Sequence, residues 1–419
     1  MKSKRAFAVV SAILFLSSTT FAGGPLYIAG TGFSSAAQGH PLLWDNTKPI
    51  TYRTPSAGGL GKLTNAQAVQ RVQQLFSNWQ SVPTANITYQ NAGPILATGS
   101  YTGGAVNTAQ KFSDIDHSCA NGTQSPIIFD SNGSLFAALG LDSGVIGFAG
   151  ACAADSNGHL ISAEVALNGV FIDGNQANGE LTDSQFNQAF THEFGHFSGL
   201  GHSQINVDVL NQNPSNCDPS LVAALPVMFP IAQCQARVDL NLPPLSPDDM
   251  AWISMLYPQT ANNPAAGQVP FNSVYGIISG TVVFGDGTSA LQDANLIARD
   301  VNQPQASQFS VVSGYLFTGD PGQSVSGDNP GDGGFGSHDP TLIGTFDIPV
   351  LAGTYAIGAE SINPGFVEGS SVGPLSFPIF LPANVSSPPS ISVSAGAHVT
   401  GIKLKSQDSS PRFDQFEPQ

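Results

Sequence analysis

The fold and the chemistry of this chain are decided by residues 191–203, which read THEFGHFSGLGHS. His192 and His196 are four residues apart, so on a helix both imidazoles project from one face and can bind one metal ion. Gly199 lets the chain leave the helix, which brings His202 round as a third ligand. Three neutral imidazoles leave the fourth tetrahedral position of zinc open, which is typical of a catalytic rather than a structural site.

Glu193 follows the first of these histidines directly. Bound zinc lowers the pKa of its water towards 7, from about 15.7 in bulk, and polarises a carbonyl group. Glu193 is placed to take the proton of that zinc-activated water as general base and to pass it to a leaving amine. The pattern therefore predicts hydrolysis of peptide bonds without a covalent intermediate.

The motif HExxHxxGxxH is the signature of the metzincin metallopeptidases, which the chain resembles over roughly residues 44–258. The block from Gly199 to Ser203 resembles the matrixin branch in particular. Further along, residues 225–230, LPVMFP, are similar to the matrixin Met-turn. This resemblance implies that Met228 forms a hydrophobic floor below the metal.

Both ends of the matching region also resemble the matrixin catalytic domain. Trp44 and the segment from Ile50 to Arg53 are similar to its opening strand, and residues 245–258 to its closing helix. The resemblance implies a twisted mixed sheet, a long helix, an active-site helix and a C-terminal helix. No cysteine precedes Cys119, so the cysteine that keeps animal matrixins latent has no counterpart.

The first residues predict a secretory signal peptide over residues 1–22. Lys2, Lys4 and Arg5 precede an apolar run, and small residues lead to a cleavage site after Ala22. No segment approaches the roughly 20 apolar residues of a membrane-spanning helix. We therefore expect a secreted, extracellular protein, periplasmic in transit, without membrane insertion. We expect residues 23–43 to form an extended N-terminal segment.

Composition narrows the choice of partners and fold. The chain has 419 residues and a formal net charge of -16, which disfavours nucleic acid and anionic membranes as partners. Its 46 glycines and 30 prolines, with only 10% charged residues, favour turn-rich β structure over helical bundles. We expect a monomer that acts on proteins or peptides.

Hydrophobic spacing predicts an α+β fold for the first domain, residues 44–258. Thr64 or Asn65 begins a long helix that ends before Pro83, and Thr182 with Gln185 forms a capping box at the start of the active-site helix. A last helix is predicted over residues 248–256. Short β runs are predicted between Ile87 and Gly179, at residues 127–129, 145–148 and 161–167.

The composition after residue 258 predicts three further segments. They are a linker at residues 259–270, an all-β sandwich domain at 271–405 and a disordered tail at 406–419. Residues 278–283 and 344–355 resemble the carboxypeptidase-regulatory-like, transthyretin-like sandwich. An accessory role is expected for it. Strands are predicted at residues 277–284, 294–299, 344–350, 354–362 and 399–404.

The chain has four cysteines, and in the oxidising environment of an exported protein they are expected to form disulfides. Sequence-local pairing joins Cys119 to Cys152 and Cys217 to Cys234, although three connectivities are formally open. A cysteine zinc site is the alternative, but no two cysteines have the CxxC spacing.

Calcium is a second candidate cofactor. Three Asp-containing turns, which begin at Asp130, Asp155 and Asp173, offer oxygen ligands for Ca²⁺. Asx turns explain the same residues. His338 and His398 are expected at the surface rather than in a metal site.

Two functional hypotheses follow. The first is a secreted zinc endopeptidase with His192, His196 and His202 as ligands and Glu193 as base. The alternative is a secreted adhesion or binding protein with a vestigial zinc site, but a purely structural site would have no need for a base beside an open coordination position.

Overall fold

The computed structural model describes residues 4–6, 23–30, 32–203, 205, 217–232, 234–260, 264, 266–292, 294–317, 339–361 and 390–406. Nearly all of the predicted signal peptide and tail lie outside these residues, as does His338. The described chain is a mixed α+β structure with several sheets and few helices. This confirms the predicted class.

The six α-helices of the described chain are α1 Asn65–Gln80, α2 Ala109–Ala120, α3 Ser134–Ala138, α4 Asp183–Phe197, α5 Pro219–Ala224 and α6 Pro247–Leu256. The strands are β1 Lys4–Ala6, β2 Leu43–Trp44, β3 Ile50–Thr54, β4 Tyr89–Pro94, β5 Ile127–Asp130, β6 Gly147–Asp155, β7 His159–Asn168, β8 Tyr275–Val283, β9 Ala294–Asp300, β10 Gln308–Val312, β11 Thr345–Leu351, β12 Gly353–Ser361, β13 Ile391–Val393 and β14 His398–Lys405.

The chain divides into two compact units, each built from separate stretches of sequence. The first contains Met1–Ser18, Leu42–Ser81 and Ile87–Gly199, and the second contains Thr19–Pro41, Val82–Asn86 and Leu200–Gln419. This division follows compactness alone, so the sequence-based domain boundaries stay a prediction.

The first unit is built on a five-stranded sheet in which β6 and β7 are the central antiparallel pair. β2 and β5 run parallel to β7, β1 pairs with β6, and β3 and β4 form a separate parallel pair. Helix α1 packs on α4, with the rings of Phe76 and Phe194 stacked at 3.9 Å between centroids. The capping box of α1 uses Thr64 and Gln67.

Helices α2 and α3 were not predicted, because the sequence between Ile87 and Gly179 indicated only β runs. Buried Phe112, Ile115 and Cys119 nevertheless have helical spacing, and Thr108 caps α2. The competing turn-rich composition concealed this pattern. The predicted strand at residues 145–148 also starts later, as β6, and extends to Asp155.

The second unit contains two small sheets and α6. One sheet has the strand order β10-β9-β12-β13, and the other has the order β11-β8-β14. The strands predicted from residue 277 onwards are present with slightly shifted ends, whereas β10 and β13 were not predicted. Their buried residues include Phe309, Val311, Ile391 and Val393.

The described part of the predicted linker is hydrogen-bonded rather than isolated. Within the second unit, Gln259 N donates to Thr84 O at 2.9 Å and Val269 N donates to Pro83 O at 2.9 Å. Gln268 Nε2 donates to Ala85 O at 3.0 Å. Among the described residues, the structure has no helix long and apolar enough to cross a membrane.

Candidate metal centre

Helix α4 carries the first two histidines, and its beginning is defined by the predicted capping box. Gln185 N donates to Thr182 Oγ1 at 3.1 Å, while Thr182 N donates to Gln185 Oε1 at 3.1 Å. The phenylalanines on the inner face of the helix are fully buried; they are Phe186, Phe190, Phe194 and Phe197. This apolar face fixes the rotation of α4 about its own axis.

Two tryptophan side chains hold the backbone of α4 near the histidines. Trp79 Nε1 donates to Thr191 O at 2.9 Å, one residue before His192. Trp44 Nε1 donates to Phe197 O at 2.7 Å, one residue after His196. Their hydrogen bonds anchor the helix on both sides of the two histidines.

The structure brings His192, His196 and His202 together. One ligand nitrogen from each lies within 4.8 Å of the others. The Nε2 atoms of His192 and His196 are 3.0 Å apart, with the rings nearly perpendicular at 88°. Gly199, at a φ of 91°, has the left-handed conformation that turns the chain out of the helix towards His202.

The residues present fit a zinc ion. Two ligands at the usual Zn–N distance in a tetrahedral site have nitrogens about 3.3 Å apart, close to the 3.0 Å between the Nε2 atoms of His192 and His196. His196 and His202 are buried, at 4% and 2% exposure. Three imidazoles can therefore hold a metal ion here, and imidazole also suits other transition metals.

Glu193, which lies between the two helical histidines in sequence, is buried at 8% exposure. A Cβ atom on Gly147, at the start of β6, would lie 3.0 Å from Glu193 Cγ, so a side chain at this position would crowd Glu193. Burial raises the pKa of Glu193 to about 8. A nearby cation acts in the opposite direction and favours the carboxylate.

Met228 is buried at 2% exposure and is linked to the segment after His202. Ser203 N donates to Met228 O at 2.9 Å. The carboxylate of Asp249 accepts from Val227 N at 2.8 Å and from Met228 N at 3.1 Å. The turn that carries Met228 is therefore fixed by α6, while its role below a metal stays a prediction.

Two residues that hold this turn from outside it were not identified from the sequence. Asp249 also accepts from Ser246 N at 2.7 Å, so one buried carboxylate serves three amides. Arg237 is 2% exposed and donates to the carbonyls of Val222 and Ala223 and to that of Leu225, the first residue of the turn. The sequence around Arg237, QARVDLN, does not distinguish it from a surface arginine and does not indicate its partners.

The cysteines form two disulfides, Cys119–Cys152 and Cys217–Cys234, in which neighbours along the chain are joined. They indicate an oxidising environment. Glu164 lies near the first disulfide, but disulfide sulfurs are not thiolate ligands, so this group is not a metal site. The Cys217–Cys234 bridge spans the turn that carries Met228.

The three acidic turns have the geometry of Asx turns. The side chains of Asp130, Asp155 and Asp173 each accept a hydrogen bond from the backbone N–H two residues further on. Calcium binding stays a prediction. His398 is exposed, and its Nε2 atom lies 2.6 Å from the hydroxyl of Ser279.

No protein-family model matches the chain, and no curated protein is significantly similar to it. The functional interpretation therefore depends on the geometry of the site.

Proposed function

We propose that the chain is a secreted zinc-dependent endopeptidase of the metzincin kind with a matrixin-like catalytic domain. The observation that carries the proposal is the convergence of His192, His196 and His202, with Glu193, the residue that follows His192, buried. A structural site is usually closed by four protein ligands, whereas three histidines leave one position for a reactant.

Each residue has a distinct part in the proposed reaction. His192, His196 and His202 hold the metal, which supplies a water of lowered pKa and an electrophile for the scissile carbonyl. Glu193 accepts the proton of the attacking water and delivers it to the leaving amine. The burial of Glu193 excludes bulk water from this proton transfer, and Gly147 leaves the space in which its side chain lies.

The experiment compares Glu193→Gln with Glu180→Gln on an unfolded protein substrate, with and without a chelator. Glutamine keeps the shape of the side chain but cannot act as base. We expect Glu193→Gln to retain one zinc per chain and to lose activity by about 10²- to 10⁴-fold. Glu180 is half-buried and its carboxylate accepts from Gly174 N at 3.1 Å, so its variant should remain active.

The opposite result is equally informative. Full cleavage by Glu193→Gln, or cleavage that survives removal of the metal, would contradict the proposal. Stoichiometric zinc without cleavage of any peptide library would instead favour the adhesion or binding protein.

A further inference from the structure

Strand β10 forms one edge of the four-stranded sheet, because among the described strands it pairs only with β9. Unpaired strand edges need cover, and in the second unit α6 supplies it at Ser310. Ser310 N donates to Asp248 Oδ1 at 2.8 Å. Trp252 Nε1 donates to Ser310 O at 2.7 Å. Both backbone groups of Ser310 are therefore satisfied by side chains of one helix.

The hydroxyl of Ser310 reaches a different segment. It lies 2.9 Å from the hydroxyl of Ser203, and both serines are buried, at 0% and 1% exposure. Ser203 follows His202 directly. Ser203, Asp248, Trp252 and Ser310 form what we call the Ser310 cluster. It links the β10 edge to the residue next to the third histidine.

A second contact strengthens this link. Gly23 N donates to His202 O at 2.6 Å. A Cβ atom on Gly23 would lie only 2.0 Å from Ser310 O. The chain at Gly23 therefore contacts both the backbone of His202 and Ser310, with no space for a side chain. The backbone of His202 is constrained from two directions.

We propose that Ser310 is a positioning residue for the third metal ligand, so that the metal affinity of the three-histidine site depends on the C-terminal sheets. The inference rests on the proposed function, because it takes His192, His196 and His202 as a zinc site. Zinc demands a defined geometry of its ligands. Partners that orient ligands influence affinity although they never touch the metal.

The competing explanation is that the Ser310 hydroxyl only stabilises the fold. Ser313 offers a matched control, since it is also 0% exposed and near the same strand. Its hydroxyl donates to Leu291 O at 2.8 Å and accepts from Ala294 N at 3.0 Å, within the sheet region. Loss of either hydroxyl should lower stability, but only that of Ser310 is connected to His202.

The test measures zinc affinity by competition with a chromophoric chelator, together with urea unfolding, on the full chain. Ser310→Ala and Ser203→Ala should each weaken zinc binding by about three- to tenfold. Their double variant should be little weaker than either single one, because both remove the same hydrogen bond. Ser313→Ala should lose comparable stability and keep its zinc affinity.

Unchanged zinc affinity in both Ser310→Ala and Ser203→Ala would overturn the inference, as would an equal loss in Ser313→Ala. If Ser310→Ala fails to fold, Ser203→Ala decides alone. The proposed function has a separate readout. If the serine variants bind zinc more weakly but the unaltered protein cleaves no peptide, the peptidase is refuted and the positioning role stands. If the unaltered protein cleaves peptides but the serine variants keep its zinc affinity, the positioning role is refuted and the peptidase stands.

Discussion

The helix that carries His192 and His196 and the segment that follows it are held by a different balance of interactions. Helix α4 is fixed by buried aromatic rings, of which Phe194 is stacked on Phe76 at 3.9 Å, in addition to the two indole hydrogen bonds. The segment with His202 and Met228 is fixed by buried hydrogen bonds from residues distant in sequence, among them Asp249. Apolar packing tolerates small changes in shape, whereas a buried polar network loses much when one member is removed.

The largest effect is expected from breaking the polar network at Asp249. Asp249→Ala leaves the amides of Val227, Met228 and Ser246 buried without an acceptor, which should cost about 3–5 kcal/mol. Urea unfolding measures this loss. Asp239→Ala, at an exposed position of the same unit, should change stability by less than about 0.5 kcal/mol. Similar losses in the two variants would contradict the account.

A smaller loss of stability is expected from replacing either of two tryptophans, one that contacts α4 and one that contacts the Ser310 cluster. Trp79 and Trp252 each donate an indole N–H to a backbone carbonyl, at 2.9 and 2.7 Å. We expect either Trp→Phe variant to lose about 1–2 kcal/mol of stability. Zinc affinity should fall in Trp252→Phe, which disturbs the Ser310 cluster, and stay within about twofold in Trp79→Phe, because aromatic packing still holds α4.

The reverse pattern of zinc affinities in these two variants would show that the comparison is wrong. Equal unfolding free energies of the two variants would not change this conclusion, because the comparison concerns zinc affinity rather than global stability. Chelator competition and urea unfolding on the same samples separate the two quantities.

The smallest expected effect concerns a buried carboxyl in the first unit. Burial and the neighbouring Asp116 raise the pKa of Glu164 well above its ordinary value of 4.5. Its Oε2 atom is buried and has no hydrogen-bond partner among the described residues. Because the folded state binds this proton more tightly, the stabilisation is complete below the unfolded pKa and is lost as pH rises through the folded pKa.

Glu164→Gln mimics the protonated group, so it should raise the Tm by a few degrees at neutral pH and not at pH 4. Thermal unfolding across this pH range measures the difference. Glu180→Gln, which changes a half-buried carboxylate, should leave the profile unchanged. A stabilisation by Glu164→Gln that is independent of pH would exclude deprotonation as its cause.

The sequence predicted the parts of the site that depend on local rules. The capping box of Thr182 and Gln185, the apolar face of α4 and the spacing of its histidines are all contained within about twenty residues. The same holds for the capped start of α1 at Thr64. Spacing and capping act between near neighbours, so a single sequence reveals them.

The remaining features depend on contacts that only the fold creates. Asp249 belongs to a readily predicted helix, but its hydrogen bonds to Val227 and Met228 require a particular arrangement of the second unit. The link between Ser203 and Ser310 joins residues 107 positions apart. Helix α2 differs, since its Phe112 and Ile115 had the right spacing but lay in a turn-rich composition.

The central claim, a catalytic zinc site, is tested most directly by titrating metal-free protein with zinc while peptide cleavage is followed. The account predicts no cleavage without metal and activity that rises to a plateau at one equivalent of zinc. Cleavage by the metal-free protein would contradict it, and so would an inactive protein that holds one zinc on His192, His196 and His202.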